Sequence, residues 1–190
     1  MHTMELDLPL PPASALGRAL KAWRHLRRIK QSHAAELFGV SQATISRWEG
    51  GRQSPSPDEA VRLRDAMAAT PNGAADAALL RLVNGSASPM HLVCDLSHRL
   101  LAASKSRSRT WRVTPEALYG SSLWRYASDD IQRAESHLGE LGWFEPGAAP
   151  VTLTTGANRW AEVPIHASRI RWTRLRLSDG SYARLVETVR

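Results

Sequence analysis

Gln42, Ala43, Ser46 and Arg47 stand one, three and four residues apart, so on a helix they share one face. Its groups suit the edges of stacked bases. An amide pairs with adenine, a guanidinium fork pairs with guanine, and a methyl group touches the thymine methyl. Gln31, Ser41, Thr44 and Arg52 flank that face with donors of the kind that phosphate oxygens take. Base reading is therefore expected of Gln42, Ala43, Ser46 and Arg47. Phosphate binding is expected of Gln31, Ser41, Thr44 and Arg52.

The surrounding residues must present this face rigidly. Gly39 sits where a first helix has to stop and reverse, a position needing a left-handed backbone. Val40 plugs the corner, and Ser41 is placed to cap a second helix over Gln42 to Glu49. Ala35, Val40, Ile45 and Trp48 are the expected apolar pins, with Ile45 and Trp48 three apart and facing inward together. The stretch Gln31 to Gly51 resembles the lambda-repressor-like (XRE-type) helix-turn-helix family. It carries Gln31, Ala34-Ala35, Gly39-Val40-Ser41, Thr44-Ile45-Ser46, Glu49 and Gly51 of that family's run, with Ala34 in place of the usual Leu and His33 where a carboxylate is commoner. The resemblance implies an all-α bundle that binds double-stranded DNA. By analogy with relatives, Gln31 braces Gln42.

Flanking residues complete a small bundle over 14–68. Ser14 is expected to cap a helix running through Ile29, in which Leu16, Leu20, Trp23 and Ile29 follow one face. Ser56 and Pro57 open another over Asp58 to Ala68, with Val61, Leu63 and Met67 closing the core. Between Ser14 and Ser56 there are eight Lys and Arg against Glu36 and Glu49, a local net of +6 in a chain of +7. Such a concentrated field suits a phosphate backbone and gives salt-sensitive affinity.

At 190 residues and 43% apolar the chain can bury one or two small cores. Residues 69–76, ATPNGAAD, read as a linker between two, and residues 1–13, with three prolines, as a loose arm. No stretch reaches the roughly 20 apolar residues of a membrane span. A single cysteine, Cys94, excludes an intramolecular disulfide framework and fits a reducing cytoplasm.

From residue 77 onward the pattern changes. Ala77 to Val83 reads as an apolar helix; Leu79, Leu80, Leu82 and Val83 leave it little polar face, and a dimer partner is expected there. Met90 to Cys94 and Arg99 to Ala103 read as strands around an Asp95 turn. Short helices follow at Thr114 to Gly120, and a longer one runs from Ser128 to Leu141. Ile165 to Leu177 and Tyr182 to Val189 then form a hairpin across Asp179-Gly180. The parity switch from Ile170/Trp172 to Leu175/Leu177 hints at a bulge.

This order, with the Asp95 turn, Thr114-Pro-Glu-Ala-Leu-Tyr-Gly120 and the terminal hairpin, resembles a PAS domain. The resemblance implies a multidomain chain whose second, α+β part at 77–190 is a five-stranded antiparallel sheet with helices on one face and a pocket between. Trp124 and Tyr126 are expected to contribute to that pocket. The usual Asn after the second strand is replaced by Ala103-Ser104, and the Asn-Cys-Arg motif of flavin-binding members is missing. Cys94 is expected to be a buried inert thiol and His137 a solvated or hydrogen-bonded side chain. No cofactor or metal is expected, nor any catalytic residue, because no phosphate-cradling loop, nucleophile elbow or His/Cys/carboxylate cluster stands in the sequence.

Two functional classes emerge. One is a sequence-specific transcription regulator, a repressor acting as a homodimer on a pseudo-palindromic operator, with a small-molecule ligand in the PAS-like part. The other is an antitoxin-like or adaptor DNA-binding protein whose PAS-like part only dimerises or docks a partner protein.

Overall fold

The computed structural model describes residues 13–189; all but the last residue of the expected arm therefore lies outside the described residues. Helix α1 (Ala13–Leu26) already contains Ser14, where a cap is expected, and ends at Leu26 rather than Ile29. Arg28, at φ 54°, ends it: Arg28 N–H bonds His25 O and Ile29 N–H bonds Arg24 O, the paired reversed bonds of a helix terminus. Helices α2 (Gln31–Phe38) and α3 (Gln42–Glu49) meet across Gly39, which is left-handed at φ 66°. Ser41 accepts from Thr44 N–H at 3.1 Å and caps α3. A reciprocal capping box between Ser56 and Glu59 starts α4 (Pro57–Ala66).

The first core gathers Leu16, Leu20, Ala34, Ala35, Phe38, Ile45, Trp48, Ala60, Leu63 and Met67. Val61, expected inside, is 49% exposed, because the inward face of α4 passes through Ala60 and Leu63 instead. Gly17 sets how closely α1 crosses α3: a Cβ there would stand 1.9 Å from Trp48 O. Only a residue without a side chain permits that approach.

Helix α5 (Ala74–Gly85) begins inside the stretch read as a linker. Its start is fixed by Asp76, whose carboxylate accepts from Asn72 and Gly73 N–H and from both Ser178 N–H and Ser178 Oγ. Five strands follow: β1 (Met90–Cys94), β2 (Leu100–Ala103), β3 (Val151–Thr155), β4 (Ser168–Arg176) and β5 (Tyr182–Val189). They form one antiparallel sheet in the order β2-β1-β5-β4-β3. One face is covered by α5. The other is covered by α6 (Lys105–Ser108), α7 (Pro115–Leu118), a 3₁₀ turn (Trp124–Tyr126) and α8 (Asp129–His137). Helix α8 gives way to turns well before the expected Leu141, passing through Gly142 at φ 68°.

The β4–β5 register runs unbroken from Arg169↔Val189 to Arg176↔Tyr182, so the expected bulge is absent. The parity switch has another cause. Ile170 and Trp172 pack toward α8, whereas Leu175 and Leu177 pack with α5 on the opposite face. The irregularity lies between Leu92 and Val93, where β1 pairs β2. Helix α5 is likewise used inside the chain: Val83 is buried, Leu79 and Leu80 pack half-buried against the sheet, and of the four residues expected at a dimer face only Leu82, 73% exposed, projects outward.

Candidate nucleic-acid interface and a small cavity

Along α3, Gln42, Ala43 and Arg47 are exposed and Ser46 is partly exposed, on the side opposite the buried Ile45 and Trp48. Ser41 and Arg52 are exposed at the two ends of the helix, and Thr44 and Gln31 are partly exposed. Arg47 is folded along its own helix, with Nε donating to Ala43 O and Nη1 donating to Gln53 Oε1, each at 3.3 Å. These exposed bonds are easily exchanged for a base edge. Gln31 does not brace Gln42. Its Nε2 donates to Glu49 Oε2 at 2.9 Å, and Arg24 donates to the same carboxylate at 2.7 and 3.0 Å. Burial works to raise the Glu49 pKa, but the bonds from Arg24 and Gln31 and the charge of Arg24 outweigh it and hold the carboxyl below the usual range. Helix α3 is thus tied to α1 and α2 through an ionised Glu49.

The C-terminal sheet and its helices line a partly open cavity of about 90 Å³. Trp111, Trp124, Tyr126 and Trp172 line it, together with His91, His98, Arg107 and Arg184. Trp124 and Tyr126 therefore both face it, and His98 stacks on Trp124 at 4.7 Å between ring centroids. Arg107 donates to Thr188 Oγ1 at 2.7 Å, while its Nε and His91 Nδ1 are buried without a hydrogen bond. Burial, helped by the Arg107 charge, pushes the His91 pKa well down, so its imidazole is neutral.

Behind one wall lies a cluster of buried charges. Arg184, 2% exposed, bonds Asp95 at 2.7 Å and also pairs with Glu135; its guanidinium sits 4.8 Å from the Trp172 ring and 5.1 Å from that of Trp143. Asp95 further accepts from Arg174 Nε at 2.8 Å and Trp143 Nε1 at 3.0 Å. Burial alone would raise both carboxyls, yet the adjacent guanidiniums keep Asp95 and Glu135 ionised and below the usual range. His98 Nε2 lies 3.4 Å from Glu135.

Residues 15–89 match the family described as "Helix-turn-helix domain". The first unit is a helix-turn-helix domain. The family match runs on through α5 to the turn before β1. No curated protein matches the chain. Among solved structures, the PAS domain of an HTR-like protein from Haloarcula marismortui is similar at 15% identity and TM-score 0.42, over 60% of this chain and 90% of that one. The PAS domain of BvgS from Bordetella pertussis is similar at 13% identity and TM-score 0.40, over 60% and 82%. A sensory box sensor histidine kinase from Vibrio cholerae is similar at 9% identity and TM-score 0.39, over 61% and 93%. The PAS-like architecture of the second unit stands on its own strand order and on the face that α6 to α8 occupy.

Sequence reading of the helix-turn-helix domain misses Phe38 and Gly17 in its core and the partner of Gln31. In the PAS-like unit it misses the ionic cluster altogether. Its members span 89 residues from Asp95 to Arg184, and Asp95 alone reads as a turn residue. The available signal is Arg184 itself, a charge on the inward parity of a strand that otherwise reads as core.

Proposed function

We propose that this chain is a sequence-specific transcription regulator of the XRE type, with Gln42, Ala43, Ser46 and Arg47 reading bases and Gln31, Ser41, Thr44 and Arg52 at the phosphates. The observation that carries this reading is a polar, exposed face on α3 held from behind by Glu49. Around it lies the local +6 charge. For Gln31 the support is mixed, since its amide is already engaged with Glu49 and only the remaining donor capacity can reach a phosphate.

One such helix contacts only a few base pairs, so useful selectivity calls for a homodimer on a pseudo-palindrome with half-sites about one turn apart. The regulator acts as a repressor in the simplest case, where occupancy of the operator blocks transcription. Its PAS-like unit takes a small molecule in the cavity lined by Trp124 and Tyr126, and the unpartnered Arg107 Nε and His91 Nδ1 supply polar contacts.

A second reading is favoured by the size of that cavity. About 90 Å³ is well below the roughly 300 to 1,000 Å³ of usual ligand sites. This suits an antitoxin-like or adaptor protein whose PAS-like unit only dimerises or docks another protein. Selection of bound duplexes from a random pool, followed by thermal-shift screening of small molecules, separates the two. The regulator reading expects an inverted-repeat operator and a compound that both raises Tm and alters operator affinity. A defined operator with no such compound supports the second reading.

A further inference from the structure

Asp95 stands between two cavities. The first is the sensory cavity, whose wall includes Arg184 and His98. The second, about 60 Å³, lies where the two domains meet; Asp95, Arg174, Phe144 and Tyr182 form one side, and Ala19, Ala22, Trp23 and Leu26 of α1 form the other. Asp95 Oδ1 takes Arg184 and Oδ2 takes Arg174, so a single carboxylate links the walls of both. From Arg174 the contacts continue outward. Its guanidinium lies 3.7 Å from the Tyr182 ring and 5.5 Å from that of Phe144, and Arg18 of α1 lies 5.4 Å from the same Phe144 ring.

The cluster is poorly suited to yielding one member at a time. Two carboxylates and two guanidiniums balance in charge, and displacing any one leaves a buried charge without its partner. A side chain or ligand that shifts Arg184 therefore moves Asp95, and with it Arg174. The domain contact at the far end is part apolar, with Leu96 packed half-buried against the first core, and part ionic. Beyond Arg18 it includes Leu26 against Gly180, an Arg27–Asp179 pair at 3.6 Å with Arg27 exposed, and an Arg99–Asp65 pair at the surface. Coupling of this kind needs two arrangements of α1, docked as here and released, that the cavity biases.

We propose that the Arg184–Asp95–Arg174 chain couples the sensory cavity to the docking of α1, so that filling the cavity changes how firmly the helix-turn-helix domain is held. This rests on the ligand-sensing reading above and names the route of its regulation. By linkage the effect is reciprocal: a state of α1 imposed by DNA alters the cavity in turn.

The test uses the full chain and fills the cavity with a side chain. Ala127 lines it, and Ala127→Leu adds bulk there, with Ala127→Val as the milder version. Amide hydrogen exchange is measured for α1 between Ala19 and Leu26, with α2 amides as the internal control. The coupling predicts a change in α1 exchange of about five-fold or more, the lower end of usual allosteric couplings, with α2 unchanged. In an Arg174→Met background the same cavity substitution should leave α1 exchange unaltered. Phe144→Leu gives a second background that cuts the last contact without removing a buried charge. An α1 response below about five-fold, or one that persists in both backgrounds, overturns the proposal. No natural ligand is needed, so a failed ligand screen and a failed coupling are separately visible.

Discussion

Glu49 ends α3 and accepts two hydrogen bonds from Arg24, at 2.7 and 3.0 Å, so α3 is fastened to α1 by a nearly buried ion pair. Arg24 also donates to Ile29 O, which holds the end of α1 in the same arrangement. Replacing Arg24 leaves Glu49 with Gln31 alone. Arg24→Met should lower stability by about 1.5 to 3 kcal/mol, the usual worth of hydrogen bonds to a charged group. Urea denaturation followed by far-UV circular dichroism measures this. An unchanged midpoint would show that the pair is ornamental.

The same pairing has a sign in pH. The folded pKa of Glu49 is depressed, as is that of Asp95, so each stabilises fully above its unfolded value near 4 and loses that contribution as pH falls through the lower folded value. His91 acts earlier. Its folded pKa is also depressed, so the unfolded chain takes up a proton below about 6.5 while the folded one does not. Stability should fall by up to about 1.4 kcal/mol per pH unit below pH 6.5, and His91→Phe should remove that slope between pH 6.5 and 5. Denaturant midpoints at several pH values decide it; parallel curves for the two proteins would show that His91 titrates normally.

Gly17 offers a steric test. A glycine-to-alanine change inside a helix ordinarily stabilises by about 0.5 to 1 kcal/mol. Here the new Cβ would meet Trp48 O at 1.9 Å, against backbone that cannot swing aside. Gly17→Ala should therefore destabilise by about 1 to 3 kcal/mol and displace α3, lowering affinity for every duplex. A Tm equal to or above that of the parent protein would contradict the close crossing of α1 over α3.

Local signals read correctly because their physics is local: Gly39 reverses the chain, Ser41 and Ser56 cap helices, and Asp179-Gly180 turns the final hairpin. Gly17 was opaque, since nothing within its own helix reveals that another backbone passes there. Arg28 was missed as a helix end because a left-handed arginine carries no compositional mark. The β4 parity switch is visible in sequence but imitates a bulge, since the strand is buried on different faces at its two ends. On α3 the exposed residues follow from helical spacing, whereas the partner of Gln31 depends on Glu49, 18 residues away.

Leu82, the exposed apolar residue of α5, allows a test of assembly. With Val83 inside the sheet packing, Leu82→Glu should not unfold the protein. If α5 nonetheless carries the homodimer, the change should shift light scattering of the full chain from dimer to monomer at tens of micromolar. A dimer that survives Leu82→Glu would place the interface elsewhere.

The central claim is that α3 reads bases while its surroundings hold phosphates. Its most direct measurement is a set of binding titrations at several salt concentrations, on the selected operator and on a scrambled duplex, for the parent protein, Gln42→Ala, Arg47→Ala and Arg52→Ala. Gln42→Ala and Arg47→Ala should each lose roughly 1 to 3 kcal/mol on the operator and almost nothing on the scrambled duplex. Arg52→Ala should weaken both equally and lower the salt slope by about one. Equal losses on both duplexes for Gln42→Ala and Arg47→Ala would contradict base reading by this helix.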